Sequence, residues 1–387
     1  MKKGEKKRPQ STIPFFVKTA KSWYISKHML TLIKKGRIFV GMSGGVDSSV
    51  SAALLQKEGY DVTGVFIKVW QPDFSPCPWR EDRLDAMRVA AHLHIPFLTF
   101  DFEKEYKQHV VDYMIAEYTA GRTPNPDVMC NKSIKFGSFF EKARQLGADF
   151  VATGHYARID GENPARLLTG IDTNKDQSYF LWTLTQEKLP HILFPVGSYQ
   201  KEEVRVLAKK FGLSTAQKKD SQGICFMGKL DIQEFLQHFI ETSRGSVLDE
   251  QGTVIGKHDG ALFYTIGERH GFTIDRQGTH ETPRYVVRKD MKANTITVAQ
   301  KANTPAERTK EDIIHLTETN WIAGMKPKSE KTYTARTRYR QKLFTCTLVE
   351  KNEAWSICAT SPREAAAPGQ SLVLYDQEEC LGGGIVA

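Results

Sequence analysis

Apolar residues fall into two rhythms along this chain. From Ile38 to about residue 230, short apolar runs alternate with stretches whose apolar positions return every three or four residues, the patterns of strands and helices in turn. Residues 38–40 and 62–69 read as strands, joined through a helix carrying Val50, Ala53 and Leu54. Helices are expected over 82–93, 105–119, 136–146 and 201–211, with short strands over 97–100 and 150–153. Strands alternating with helices predict an α/β domain on a mostly parallel, doubly wound sheet. After about residue 240 the texture changes to short β-type runs over 245–254, 284–290, 295–299, 331–340, 344–349, 355–359, 371–375 and 382–386. These predict a small central β-rich module and a C-terminal antiparallel β-barrel. A charged stretch at 307–312 without strand character divides the two. The expected boundaries are 1–36 for a basic extension, 37–235 for the α/β domain, 236–306 for the central module and 307–387 for the barrel.

Charge changes this picture only locally. The formal net charge is +9, yet residues 1–37 hold eleven Lys or Arg against Glu5 alone, leaving 43 basic and 44 acidic residues elsewhere. The first 36 residues, with Phe15, Phe16, Trp23 and Tyr24, read as a tail or an added RNA-gripping arm; being almost free of acid, they also fit a transit peptide. Within the neutral body, residues 331–342 (KTYTARTRYRQK) hold five basic residues, two tyrosines and no acid. Alone, that run is equally a solvated edge strand or an RNA contact. No apolar run approaches the ~20 residues of a membrane span, so no membrane partner is expected. Cys77, Cys130, Cys225, Cys346, Cys358 and Cys380 form no Cys-x-x-Cys pair, which argues against a disulfide scaffold and a metal site and for a reducing, cytoplasmic setting.

Candidate chemistry starts between the first strand and its helix. Gly41, Met42, Ser43, Gly44, Gly45, Val46, Asp47 and Ser48 form a loop in which two glycines permit a sharp turn and the hydroxyls supply donors at a helix N-terminus. Such a loop suits phosphate. It lacks the lysine of a Walker loop and the spacing of a dinucleotide fingerprint, and resembles instead the pyrophosphate loop of N-type ATP pyrophosphatases. Its bland alternative is a tight strand-to-helix turn. In GRTPNPDVMCN, two prolines argue against regular helix and put Asn125, Asp127 and Cys130 on a rigid loop, or in an ordinary proline-rich turn with a structural thiol. Cys225 in KKDSQGICF follows two lysines that would favour thiolate, or is a buried inert thiol. Gly154 and His155 follow a strand, where glycine would admit a nucleotide and the histidine would share the rim. Asp176 in NKDQSYF is open to a plain helix-capping role.

Taken together, GMSGGVDSSV, GRTPNPDVMCN, ATGHYAR, NKDQSYFLW, FPVG, KKDSQGICF, PGQSLVLY and CLGGGI occur in the order seen in the tRNA-specific 2-thiouridylases, and the resemblance runs from about Ile38 to Val386. It implies an N-type ATP pyrophosphatase-like fold and ATP-dependent thiolation at C2 of a wobble uridine. ATP and Mg²⁺ would be the cofactors, with tRNA and a persulfide-donating protein as partners of a monomer. By resemblance, Gly41 to Ser48, Ile67 and Gly154 would hold ATP, with Ile67 standing where the family usually has Met. Asn125, Pro126 and Asp127 would meet the base, with Asp127 moving a proton. His155, Lys175, Asp176, Gln177, Arg338, Tyr339 and Gln370 would contact the tRNA. Cys225 would carry the persulfide and Cys130 would resolve it, through a Cys130–Cys225 disulfide. Departures are the N-terminal extension, Gln71 to Arg80, and Glu268 with His270 in TIGERHGF. Two alternatives stay open: a pyrophosphatase-loop ligase that adenylates a small metabolite, and an RNA-binding protein with a vestigial loop.

Overall fold

The computed structural model describes residues 35–74, 79–219, 232–275, 283–300, 312–329, 331–352, 354–361 and 363–387. Strand β1 (Arg37–Gly41) buries Ile38, Phe39 and Val40, residues of both its faces, and takes the centre of a parallel sheet. Helix α1 (Val46–Lys57) leads to β2 (Asp61–Lys68), and α2 (Trp79–His92) to β3 (Phe97–Asp101). Next come β4 (Phe150–Ala152), a hairpin of β5 (Ala157–Asp160) and β6 (Arg166–Thr169), and β7 (Ile192–Leu193). The sheet order β3-β2-β1-β4-β7 reverses direction at β1, which places the loop after β1 in the crevice at the strands' carboxyl ends.

One local expectation needs correcting. The helix expected from 136 begins ten residues earlier, as Pro126–Met129 continuing through a wider turn over Cys130–Ser138 into Phe139–Gln145. Proline costs little at a first helical position, where its missing N–H would lack a partner anyway. The Asn125 side chain caps the helix by accepting from the Val128 N–H at 3.2 Å. Asp127 and Cys130 are therefore helical, and only Asn125 and the residues before it belong to the loop.

The central module is a five-stranded sheet ordered β10-β9-β8-β12-β11, from β8 (Gly245–Leu248), β9 (Val254–His258), β10 (Thr273–Ile274), β11 (Arg284–Asp290) and β12 (Thr295–Gln300). The single run read over 245–254 is thus the start of a hairpin, turned at Gly252 with φ +85°. Six antiparallel strands follow: β13 (Asp312–Trp321), β14 (Thr332–Arg336), β15 (Phe344–Lys351), β16 (Ala354–Ala359), β17 (Ser371–Asp376) and β18 (Glu379–Val386). They close into a barrel because β13 pairs with both β16 and β18. β13 starts at the end of the stretch expected as a break, whose residues 307–311 lie outside the described residues.

The barrel is not separate from the α/β domain. Hairpin β5–β6 adds to its edge, with Leu167 and Leu168 opposite Cys380 and Glu379. A single apolar cluster runs from Phe39 and Phe136 through Val247, Tyr264 and Ile296 to Val373 and Tyr375, so the three modules share a core. Among the described residues no helix is long and apolar enough to cross a membrane.

Candidate active site

The loop after β1 is shaped by its own serines. The Ser43 N–H donates to Ser48 Oγ at 3.2 Å, the Gly45 N–H to Ser43 Oγ at 3.4 Å, and the Ser48 and Ser49 hydroxyls both donate to the Gly45 carbonyl. No side chain caps α1 at Gly45. Its first-turn N–H groups, which have no acceptor within the helix, are the natural place for an anion. Gly44 is required twice over. Its φ is +75°, and a Cβ there would lie 2.2 Å from the Asp82 carbonyl oxygen of α2. Gly154 follows β4 and also meets backbone: its Cβ would lie 2.7 Å from the Ser48 nitrogen. On its Cβ side, then, Gly154 is packed against the first turn of α1.

Asp47 is the electrostatic centre of the loop. Lys201 Nζ donates to both its carboxylate oxygens, at 2.7 and 2.8 Å, and the Tyr156 hydroxyl donates to Oδ1 at 2.8 Å. Lys201 opens the helix Lys201–Lys210 and is buried on the same face as Val204 and Ala208. Its own N–H donates to Asp172 at 3.0 Å. Sequence reasoning missed both Lys201 and Tyr156. The available signal was a lysine at helical spacing with buried apolar positions, where a solvated charge would not be placed.

The helical stretch that carries Asp127 and Cys130 reaches the end of β1 through Phe139, whose ring would lie 3.5 Å from a Cβ on Gly41. Cys130 is 4% exposed. Five residues on, Lys135 Nζ stands 3.4 Å from His155 Nε2, while His155 Nδ1 lies 2.7 Å from the Thr153 hydroxyl. The ammonium can only donate, so the hydrogen-bond pattern assigns the imidazole proton to Nδ1. Burial, and after it the Lys135 charge, push the imidazole well below its ordinary value. His155 is thus neutral and 7% exposed, between the rings of Phe136 and Phe194. Ile67 sits near the end of β2, opposite Phe100.

Residues expected to touch RNA divide into two groups. Lys175 is half-buried, whereas Asp176 is 5% exposed and accepts from the Gly170 and Ser178 N–H groups and from the Arg336 guanidinium. Gln177 Oε1 accepts from the Tyr156 N–H, linking this turn to Asp47's partner. Of the basic run, Arg336 is buried between Asp176 and Tyr375, Arg338 donates to the Ile266 carbonyl of the central module, and Arg340 to the Asn174 carbonyl. Tyr339 packs on Phe180 at 4.7 Å between ring centres. Gln370 Nε2 donates to the Thr123 carbonyl at 3.2 Å. Cys225 lies outside the described residues. Lys218, read as one of its electropositive neighbours, gives its ammonium to Asp82 and Asp85, each at 2.7 Å.

A central β1, a serine-glycine loop and an uncapped helix N-terminus at a sheet's switch point define the class: an α/β protein with the N-type ATP pyrophosphatase fold. Three family models match in succession, described as tRNA methyl transferase HUP domain over residues 36–229, tRNA methyl transferase PRC-barrel domain over 233–300, and aminomethyltransferase beta-barrel domain over 311–386. The chain is 45% identical to the tRNA-specific 2-thiouridylase MnmA of Streptococcus thermophilus over 357 residues, covering 91% of this chain and 95% of that one. It is also 45% identical to that of Lysinibacillus sphaericus over 358 residues (90% and 94%), and 46% to MnmA 2 of Geobacillus kaustophilus over 356 residues (90% and 94%). The chain belongs to the tRNA-specific 2-thiouridylase family.

Proposed function

We propose that this protein is a tRNA-uridine 2-sulfurtransferase that uses ATP to replace the C2 oxygen of a wobble uridine with sulfur. The observation that carries this reading is the Ser43–Ser48 loop with Asp47 gripped by Lys201, in a chain similar along nine tenths of its length to tRNA 2-thiouridylases. An adenylating loop of this kind would be idle in a methyl transferase.

The chemistry follows from a poor leaving group. Oxide does not leave C2 of uridine, so O2 attacks the α-phosphate of ATP, expelling pyrophosphate and forming an O-adenylate. Gly41 to Ser48 hold the phosphates through loop N–H and hydroxyl groups, with Gly154 lining the adenine side and Ile67 giving an apolar contact to the nucleotide. Among the described residues no group of three or more His, Cys, Asp or Glu could hold a metal ion. Mg²⁺ would enter on the phosphate oxygens of ATP, where it would neutralise their charge. Asn125, Pro126 and Asp127 receive the base, and Asp127, in the first turn of its helix, moves a proton. Cys225 carries a persulfide supplied by a donor protein. Its terminal sulfur attacks C2, and the Cys130 thiolate attacks Cys225 Sγ, so the Sγ–S bond breaks and its electron pair goes to the transferred sulfur. AMP leaves as the C2 to sulfur double bond forms. A Cys130–Cys225 disulfide remains, reopened by a two-electron thiol reductant. In the other order, Cys130 first frees hydrosulfide, which then attacks C2. Lys175, Arg338 and Tyr339 contribute the tRNA surface; His155, Asp176 and Gln177 hold it in place from beneath.

The test is incubation with ATP, Mg²⁺, reductant, a sulfur source and unmodified tRNA, followed by digestion and mass analysis of the nucleosides. Thiouridine that appears only with ATP supports the reading. Unchanged uridine under all conditions rejects it.

A further inference from the structure

Thr123 lies in the GRTPNPDVMCN motif, two residues before the proposed base-contacting Asn125, and has no role assigned to it so far. It is 7% exposed, and all three of its polar groups are bonded to other modules. Its N–H donates to the Pro368 carbonyl of the barrel at 2.7 Å, and its carbonyl accepts from Gln370 Nε2 of the barrel at 3.2 Å. Its hydroxyl lies 3.2 Å from the Thr265 hydroxyl of the central module. The approach is close. Gly369 has φ +89°, and a Cβ on it would lie 2.9 Å from the Thr123 nitrogen; a Cβ on Gly121 would meet the Met291 side chain of the central module at 2.7 Å. On its other side, Arg122 is tied back to the α/β domain through Glu117, to which its Nε donates at 2.7 Å.

Resting on the function proposed above, we infer that Thr123 is a positioning residue through which the barrel and the central module set the place of the helix bearing Asp127 and Cys130. The link is short and stiff. Pro124 and Pro126 fix φ on either side of Asn125, Asn125 caps the helix, and Cys130 follows within little more than a turn. A shift at Thr123 therefore reaches Asp127 and Cys130 rather than being absorbed by the loop. In this reading Gln370 serves the reaction from inside the protein, by holding the catalytic helix, and not as an RNA contact.

The experiment uses the full chain with Gln370→Met and Thr123→Val, which remove a donor and a hydroxyl at nearly constant volume, and Thr123→Ser, which restores the hydroxyl. Expected are a fall of about ten-fold in kcat for thiouridine formation with tRNA KM changed less than about two-fold, and near wild-type turnover for Thr123→Ser. Amide hydrogen exchange over 122–130 should quicken about five-fold in both impaired variants, with β1 and α1 exchanging as in wild type. A rise in KM alone would make Gln370 an RNA contact and overturn the inference, as would unchanged turnover or unchanged exchange over 122–130. If the wild-type protein forms no thiouridine, the functional reading fails by itself, and the exchange rates still decide whether the junction holds the helix.

Discussion

Asp47 and Lys201, 154 positions apart, make the pair on which the nucleotide loop depends. Replacing Lys201 by Met leaves the Asp47 carboxylate without its cation while keeping the stem's apolar packing. A charge-assisted contact of this kind is worth about 2 kcal/mol, so ATP-dependent turnover should fall roughly thirty-fold while the circular dichroism stays that of the folded protein. Turnover within two-fold of wild type would remove Lys201 from the site. His155 makes a prediction in pH. Its imidazole is held neutral in the fold but takes a proton in the unfolded chain near the ordinary value of 6.5. Between the lowered folded value and 6.5 the unfolded state binds more protons, so stability drops as pH falls through about 6.5. His155→Gln should flatten that slope in urea titrations between pH 7.5 and 5.5; an unaltered slope would contradict the burial argument. The loop residues were legible because Ser43 to Ser48 are contiguous and local chemistry constrains each. Of Lys201 only the burial was legible, from its spacing with Val204 and Ala208; its role was not, since one lysine in KEEVRVLAKK gains a partner only when the fold brings Asp47 to it.

At the scale of elements, α1 is pinned at its first turn by two glycines that no side chain can replace without movement. Gly154→Ala would push its Cβ into the Ser48 nitrogen, and Gly44→Ala would combine a positive φ with a clash against Asp82. Both variants should lose ATP affinity, read by calorimetric titration, and the Gly44 variant should lose at least about 1 kcal/mol of stability from φ alone. Wild-type ATP affinity in both would show that the turn is not the phosphate site. Most strands and helices could be read from periodicity, since the sheet is buried on both faces and its helices carry apolar stripes. The helix starting at Pro126 could not, because proline argues against helix everywhere except in the first turn, and only the Asn125 cap shows that this is the first turn. Hairpin β5–β6 escaped for a different reason: its strands have four residues each, and their partner β18 lies more than 200 positions away.

Across the whole molecule, the buried pair of Asp176 and Arg336 joins the α/β domain to the barrel, with Tyr375 donated to by the same guanidinium. Arg336→Met strands the Asp176 carboxylate in the interface and should cost about 3–5 kcal/mol in urea unfolding. Near-neutral stability would mean that the modules are held by their shared apolar core alone. The basic run at 331–342 thus acts in part as mortar between modules, which a count of charges cannot reveal. It is visible only once Ile266, Asn174 and Asp176 are seen against it. The central claim is that this assembly turns the uridine oxygen into a leaving group by joining it to AMP. The most direct measurement is a single turnover on tRNA carrying ¹⁸O at C2 of the wobble uridine, with mass analysis of the released AMP. The account predicts one ¹⁸O in the phosphate of AMP for each thiouridine formed. Thiouridine accompanied by unlabelled AMP would contradict it.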